Sequence, residues 1–421
     1  MTRARAIQRQ KTGVAMPATC VSLFSGAGGF DIGLESAGFS VVAAVEADPD
    51  CIETLRLNQS SRIPVPNSED GRVLLDATRV LHARVEEMTR GDLVPNGASA
   101  SWRPDLLAGG PPCQPFSASG KQRSLGDPRG VLFREFVRIA EELRPRAILF
   151  ENVRGLITAR GPSGRPGGAL RLVLRAFQDI GYATRVGVLN AADYALPQRR
   201  VRFFLLAAQR GPLAEFPRPT HARADRPRLF DEGLPWMTLG EFLAKQPEPH
   251  PEEIVRPSLK LAKLLRDIRA GSGLRSPGVS EPTRPGGHWG YKQGTFVANP
   301  ELPARTVTAA ATQDWIRQAD GSLRRLTLRE CSRLQGFPAK WQFVGSSSSR
   351  YRQVGNAVPV RFGEVLGSAL LAALSSTSPG RATVSAPVPA SIGAAIDYTI
   401  RDDARNGVAR PRSGFFRGAD R

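Results

Sequence analysis

Residues 23–33 read LFSGAGGFDIG, and this stretch decides the fold. It closes an apolar run, CVSLF at 20–24, with the length and composition of a short buried strand. Gly26, Gly28 and Gly29 then permit positive φ and close approach of the backbone to a ligand. A helix follows from about Phe30 to Ala37, and its N-terminus offers free N–H groups behind the glycines. Strand, glycine turn and helix in this order suit either a nucleotide site or a plain structural turn. Glu46 separates the two readings. It ends a second strand, VVAAVEA at 41–47, and lies 20 residues beyond Gly26. An acid there accepts from ribose hydroxyls in doubly wound folds, and the spacing fits NAD and S-adenosylmethionine equally. Asp76, in LLDAT at 74–78, is read as ending a third strand, where an acid accepts from an adenine amino group.

The alternation continues outward from this unit. CIETLRLN (51–58) reads as a helix, RPDLLA (103–108) as a strand and RAILF (146–150) as another. Val131, Phe133, Phe136, Val137, Ala140 and Leu143 give 131–143 helical period. A helix at 169–180 and strands at 183–190 and 201–208 complete a doubly wound, mostly parallel α/β sheet. The pattern breaks after Gly211. Residues 212–300 are rich in Pro, Gly and Arg, with short helices near 238–245 and 256–270. A helix at 327–335, a serine loop at 346–349 and a last helix at 360–375 follow. The expected organisation is a basic arm (1–18), a catalytic and cofactor domain (19–211), a small irregular domain (212–344), a return to the large domain (345–375) and a flexible tail (376–421).

GGPPCQPFS (109–117) carries the chemistry. Two glycines and two prolines fix an extended turn after a strand and hold Cys113 at the carboxyl end of the sheet, where α/β ligand sites form. A lone cysteine is ordinarily a small buried hydrophobe; a stiff strand-end loop favours a nucleophile. The nine residues closely resemble the catalytic loop of the DNA (cytosine-5) methyltransferase family. Other pieces resemble that family's motifs in the family's order: LFSGAGGF, Glu151-Asn152-Val153, QRRVRFF (198–204), LTLRECSRLQGFP (326–338) and QVGNAVPV (353–360). They span about Val21 to Val360. Two departures stand out. Val21 occupies a position where the family often has Asp, and Asp76 is followed by Ala-Thr instead of an apolar residue.

The resemblance implies an S-adenosylmethionine-dependent fold with a smaller target-recognition domain, and it implies roles. Cys113 attacks C6 of a flipped-out cytosine. Glu151 contacts N3 and the amino group, and Arg200 and Arg202 hold the pyrimidine O2 and the loop. Gln114 and Ser117 position the loop and the DNA. Phe24, Gly26, Gly28, Glu46, Asp76, Leu132, Asn356 and Val358 surround S-adenosylmethionine, with Leu132 packed on adenine. These residue types suit the reaction. C5 of cytosine is a poor nucleophile, and thiolate addition at C6 turns the ring into an enamine that takes the methyl group. The thiol must be ionised, a glutamate sharing a proton at N3 needs a raised pKa, and the base must leave the helix.

Residues 212–325 are expected to read DNA. GGHWGYKQG (286–294) supplies His288, Trp289, Tyr291 and Lys292, and Thr306-Val307 resembles a dipeptide of the family's recognition region. Lys292, Arg305, Thr306 and Gln313 are the DNA-binding candidates, with phosphate contact the commoner role of any one cation. The net charge of +19 points to a polyanion, although a GC-rich genome also raises Arg and Ala. Four dispersed cysteines and four histidines give neither a disulfide framework nor a metal set. No apolar run is long enough to read as a membrane span, and no secretory signal is read. The expected setting is a monomer in the bacterial cytoplasm, associated with the nucleoid, acting on a specific double-stranded site beside a cognate restriction endonuclease. A tRNA cytosine-5 methyltransferase, a DNA binder without catalysis and a nicotinamide oxidoreductase are the rivals, the last leaving GGPPCQPFS unexplained.

Overall fold

Five strands, apolar through the centre and polar at the β3 edge, form the parallel body of the molecule: β1 (Thr19–Leu23), β2 (Ser40–Glu46), β3 (Arg79–His82), β4 (Leu106–Gly109) and β5 (Ala147–Val153). β6 (Ala183–Asn190) and β8 (Val201–Ala208) complete a seven-stranded sheet in the order β3-β2-β1-β4-β5-β8-β6, with β8 antiparallel to both neighbours. A two-residue strand, β7 (Gln198–Arg199), precedes β8. The computed structural model describes residues 17–68, 70–112, 131–161, 164–223, 233–275, 295–376 and 384–405. Cys113, Gln114, Ser117 and Lys292 lie outside the described residues.

Helices cover both faces, as continuous apolar strands require. On one side α3 (Val131–Leu143) and α4 (Gly168–Asp179) bury Phe136 and Phe177 against Phe150 of β5. These rings meet edge to face, with centroids 5.5–6.1 Å apart. On the other side α1 (Gly29–Ala37) crosses α7 (Val360–Ser375), and Phe30, Leu34, Phe362 and Leu366 are buried. The crossing is close because it is made of glycines: a Cβ on Gly33 would stand 2.1 Å from the Val360 carbonyl oxygen. The chain runs β1, β2, β3 toward one edge, then restarts at β4 on the other side of β1. The carboxyl ends of β1 and β4 therefore flank a topological switch point, where open α/β sheets bind ligands.

The smaller lobe has a four-stranded sheet of short strands, Ser272–Gly273, Phe296–Val297, Trp315–Arg317 and Leu323–Arg325. Trp315 and Val297 pack with Leu265 from the helix Leu259–Leu265. A second cluster joins Val307, Ile316 and Leu326 to Cys331 of α5 (Leu328–Leu334) and Val354 of α6 (Ser347–Asn356).

Four expectations are corrected. LLDAT ends no strand: Leu74 and Leu75 are buried anchors of a turn, and β3 begins after it at Arg79. The serine run at 346–349 is a helix start, with the Ser346 hydroxyl accepting from the Ser349 N–H at 3.2 Å. An apolar stretch within 347–375 is long enough to cross a membrane by composition alone; it is two helices broken at Ala357–Pro359, with Phe362, Leu366 and Leu370 buried. Within the expected tail, α8 (Ala390–Arg405) buries Ile392 against the α4 side of the sheet. Before it, Ala386 donates its N–H to the Thr184 carbonyl at 2.9 Å and covers part of the β6 edge.

Candidate active site

Glu151 stands near the carboxyl end of β5, buried, and accepts from Nε of Arg202 at 3.0 Å. Burial pushes its carboxyl above the usual glutamate range and outweighs the opposing pull of Arg202 and Arg200. A buried carboxyl raised in this way suits sharing a proton with a ring nitrogen. The loop after β4 passes directly over this group. A Cβ on Gly110 would lie 2.6 Å from a Glu151 carboxylate oxygen, so a side chain there would displace the Glu151 carboxyl. Asn152 Nδ2 donates to the Pro111 carbonyl at 3.3 Å and ties the loop to the end of β5. The segment leading into Cys113 thus leaves the sheet in contact with Glu151.

Arg200 and Arg202 face different tasks. Arg202 turns to Glu151. Arg200 is 1% exposed and donates to the Val307 carbonyl at 2.9 Å, Gly355 at 2.8 Å and Ala357 at 2.9 Å. Its fork joins the smaller lobe to the turn after α6. Gly355 makes this junction sterically open, since a Cβ there would meet the Thr308 carbonyl oxygen at 2.2 Å. Gln198 and Gln335 complete the hub. Gln198 Nε2 donates to the Gln335 Oε1 at 3.0 Å, and Gln335 Nε2 to the Val354 carbonyl at 2.6 Å. No local pattern in the sequence marks these buried amides: Gln198 stands beside two arginines in QRR, and Gln335 lies within LQGFP. Arg200→Ala is expected to cost about 3 kcal/mol or more, because three buried carbonyls lose a charged donor at once. Urea unfolding reads this as a lower midpoint.

The glycine turn and Glu46 meet at the switch point. Phe24, Gly26 and Gly28 are in the left-handed region at φ 57°, 56° and 85°. The direction of a Cβ on Gly26 is open to 4 Å, whereas Gly28 and Gly29 are pressed against Leu55 and the Val358 carbonyl. The first glycine leaves open space and the other two make packing. The Glu46 carboxylate accepts from the N–H groups of Gly26, Ala47 and Asp48, each at 2.8 Å, which fixes it between the two strand ends. Leu132, Asn356 and Val358 retain exposed surface. Asp76 does not belong to this set. It is exposed, lies before β3 and pairs with Arg62 at 3.2 Å. The first acids after β3 are Glu86 and Glu87, with Glu86 paired to Arg84 at 3.0 Å.

In the smaller lobe, Arg305 lies over the Phe296 ring at 4.0 Å and pairs with Asp314 at 3.4 Å. Thr306 donates its hydroxyl to the Arg199 carbonyl at 2.9 Å, so both lie where the two lobes join. Gln313 is buried and donates to the Thr308 and Ala310 carbonyls, a framework role.

Comparison with known proteins gives the family. The family model described as C-5 cytosine-specific DNA methylase matches residues 18–372. The Type II methyltransferase M.SacI of Streptomyces achromogenes is 30% identical over 387 residues, covering 83% of this chain and 92% of that protein. M.NgoMIV of Neisseria gonorrhoeae is 30% identical, covering 85% and 99%. M.AquIA of Picosynechococcus is 35% identical over 262 residues, covering 59% and 95%. Among solved structures, the S. pombe Dnmt2 methyltransferase superposes with a TM-score of 0.55 at 19% identity, covering 85% and 99%, a likeness of fold. The chain belongs to the C-5 cytosine-specific DNA methylase family.

Proposed function

We propose that the protein transfers a methyl group from S-adenosylmethionine to C5 of a flipped-out cytosine at a specific double-stranded DNA site. Cys113 is the nucleophile. The observation that carries this reading is the buried Glu151–Arg202 pair lying against Gly110, three residues before Cys113. When bound, S-adenosylmethionine supplies an electrophilic methyl group. The open face at Gly26, the fixed Glu46 carboxylate and the exposed Asn356 fit such a ligand.

The Cys113 thiolate forms a bond to C6 while Glu151 gives its proton to N3, so the electron pair reaches C5 without charge building on the ring. C5 takes the methyl group as the methyl–sulfur bond breaks, leaving the electron pair on sulfur. Loss of the C5 proton to a base then restores the double bond, breaks the C6–S bond and frees the thiolate, and N3 returns its proton to Glu151. Arg202 orients Glu151 for this exchange. Lys292, Arg305 and Thr306 contact the DNA, with Gln114 and Ser117 on the loop. The relatives' names, Type II methyltransferases, support a restriction-modification role with a partner endonuclease in a bacterial cytoplasm. The enzyme acts as a monomer, one strand at a time. Incubation with methyl-tritiated S-adenosylmethionine tests substrate class: duplex DNA is expected to take the label, and labelling of tRNA alone would overturn the reading.

A further inference from the structure

The glycine turn rests on an acid that the proposed reaction does not use. Asp31, in the first turn of α1, is fully buried. One carboxylate oxygen accepts from the Ser22 hydroxyl at 2.5 Å, and Ser25 donates to Ser22 at 3.0 Å. The other oxygen, Oδ2, has no partner among the described residues. β1 itself carries no acid, so this carboxylate reaches the strand end from the helix. Ser25 begins the turn whose next residue, Gly26, opens to the crevice. The three side chains make a polar relay from the core to the cofactor site.

The surroundings of this acid are negative. Glu46 of β2 faces it, and Glu35 lies one turn along α1. Cys20 on β1 is neutral, its thiol pushed up by burial and by Asp31 and Glu35. On α7, which packs against α1, Arg361 is paired with Glu364 at 2.7 Å and the crossing is made of glycines. Arg72 acts on Glu35, and among the described residues the charge that acts on Asp31 is the negative one of Glu46. A buried carboxylate without a counter-charge is costly unless a cation arrives.

We propose that Asp31 is a positioning residue for the positive end of S-adenosylmethionine, holding its sulfonium and ammonium over the glycine turn through Ser22 and Ser25. This rests on the cofactor reading above. The charge of Asp31 also separates substrate from product, because the methyl donor carries a sulfonium charge that its demethylated product lacks.

Calorimetric titration of the full chain with S-adenosylmethionine and S-adenosylhomocysteine, at a series of pH values from 5 to 8, tests this. Burial lifts the Asp31 carboxyl from 3.8 to about 6. Its charge is therefore present at pH 8 and lost as pH falls through about 6, and affinity for the cationic ligand falls with it. Asp31→Asn is expected to bind S-adenosylmethionine about tenfold more weakly at pH 8, with a smaller loss for the product. Its affinity should lack the part of the pH dependence that separates it from wild type. Ser22→Ala keeps the acid but removes a donor, so the midpoint of that dependence moves to higher pH. Equal affinities of Asp31→Asn and wild type at pH 8, or an unmoved midpoint in Ser22→Ala, would overturn the proposal. Wild-type protein that binds neither ligand at any of these pH values would instead overturn the cofactor reading beneath it.

Discussion

Cys113→Ser is expected to slow methyl transfer roughly ten-thousand- to a million-fold, the scale on which loss of a nucleophile acts in covalent enzymes. A serine hydroxyl stays protonated at neutral pH, whereas a thiol near arginines and a cationic methyl donor ionises readily. The other three cysteines sharpen this expectation. Cys20, Cys51 and Cys331 are buried, and burial pushes each thiol well above its ordinary value. They are held as neutral core residues. The loop after β4 has the opposite character: Pro112, just before Cys113, is exposed and Gly110 touches Glu151. Single-turnover transfer to duplex DNA measures the loss, and unchanged DNA affinity in a gel-shift titration would assign it to chemistry. A variant that retained a tenth of the wild-type rate would remove Cys113 from the mechanism.

Glu151→Gln is the second large effect, expected at roughly a hundred- to ten-thousand-fold in rate. The amide can still donate a hydrogen bond to N3 but has no acidic proton to transfer. The raised carboxyl sets the sign of the pH dependence. In the wild type, burial keeps the proton on Glu151 above the ordinary glutamate range, so the acid form is lost only as pH rises through the raised value. The wild-type rate falls along that limb and the glutamine variant does not follow it. A profile of single-turnover rate against pH for the two proteins tests this, and identical alkaline limbs would show that another group governs it.

The sheet was legible because its central strands are apolar on both faces and its helices keep their period. LFSGAGGF and VVAAVEA required only local reading, and both lie where the glycine turn and Glu46 meet. The third strand was misplaced for a physical reason. Leu74 and Leu75 bury themselves as turn anchors, Leu75 with φ at 60°, and so imitate a strand end in front of Asp76. Helix α8 was missed because its burial rests on Ile392 with Ala395 and Ile396 packed beside it, too few residues for a sustained apolar stripe. The roles of Arg200 and Gln198 depend on contacts across more than 100 positions, to Val307, Leu334 and Gly355, and no local pattern announces them. Asp31 was equally silent. Within FDIG it looks like an ordinary first-turn acid, and only its complete burial beneath the glycine turn distinguishes it.

The most direct measurement is covalent trapping on a library of duplexes containing 5-fluorocytosine, with S-adenosylmethionine present. Fluorine at C5 cannot leave as a proton does, so the C6–S bond persists. The account predicts a denaturant-stable protein–DNA adduct in the wild type, absent in Cys113→Ser, whose sequenced DNA shares one cytosine-bearing site. An active wild-type protein that formed no adduct, or a Cys113→Ser protein that still did, would contradict it.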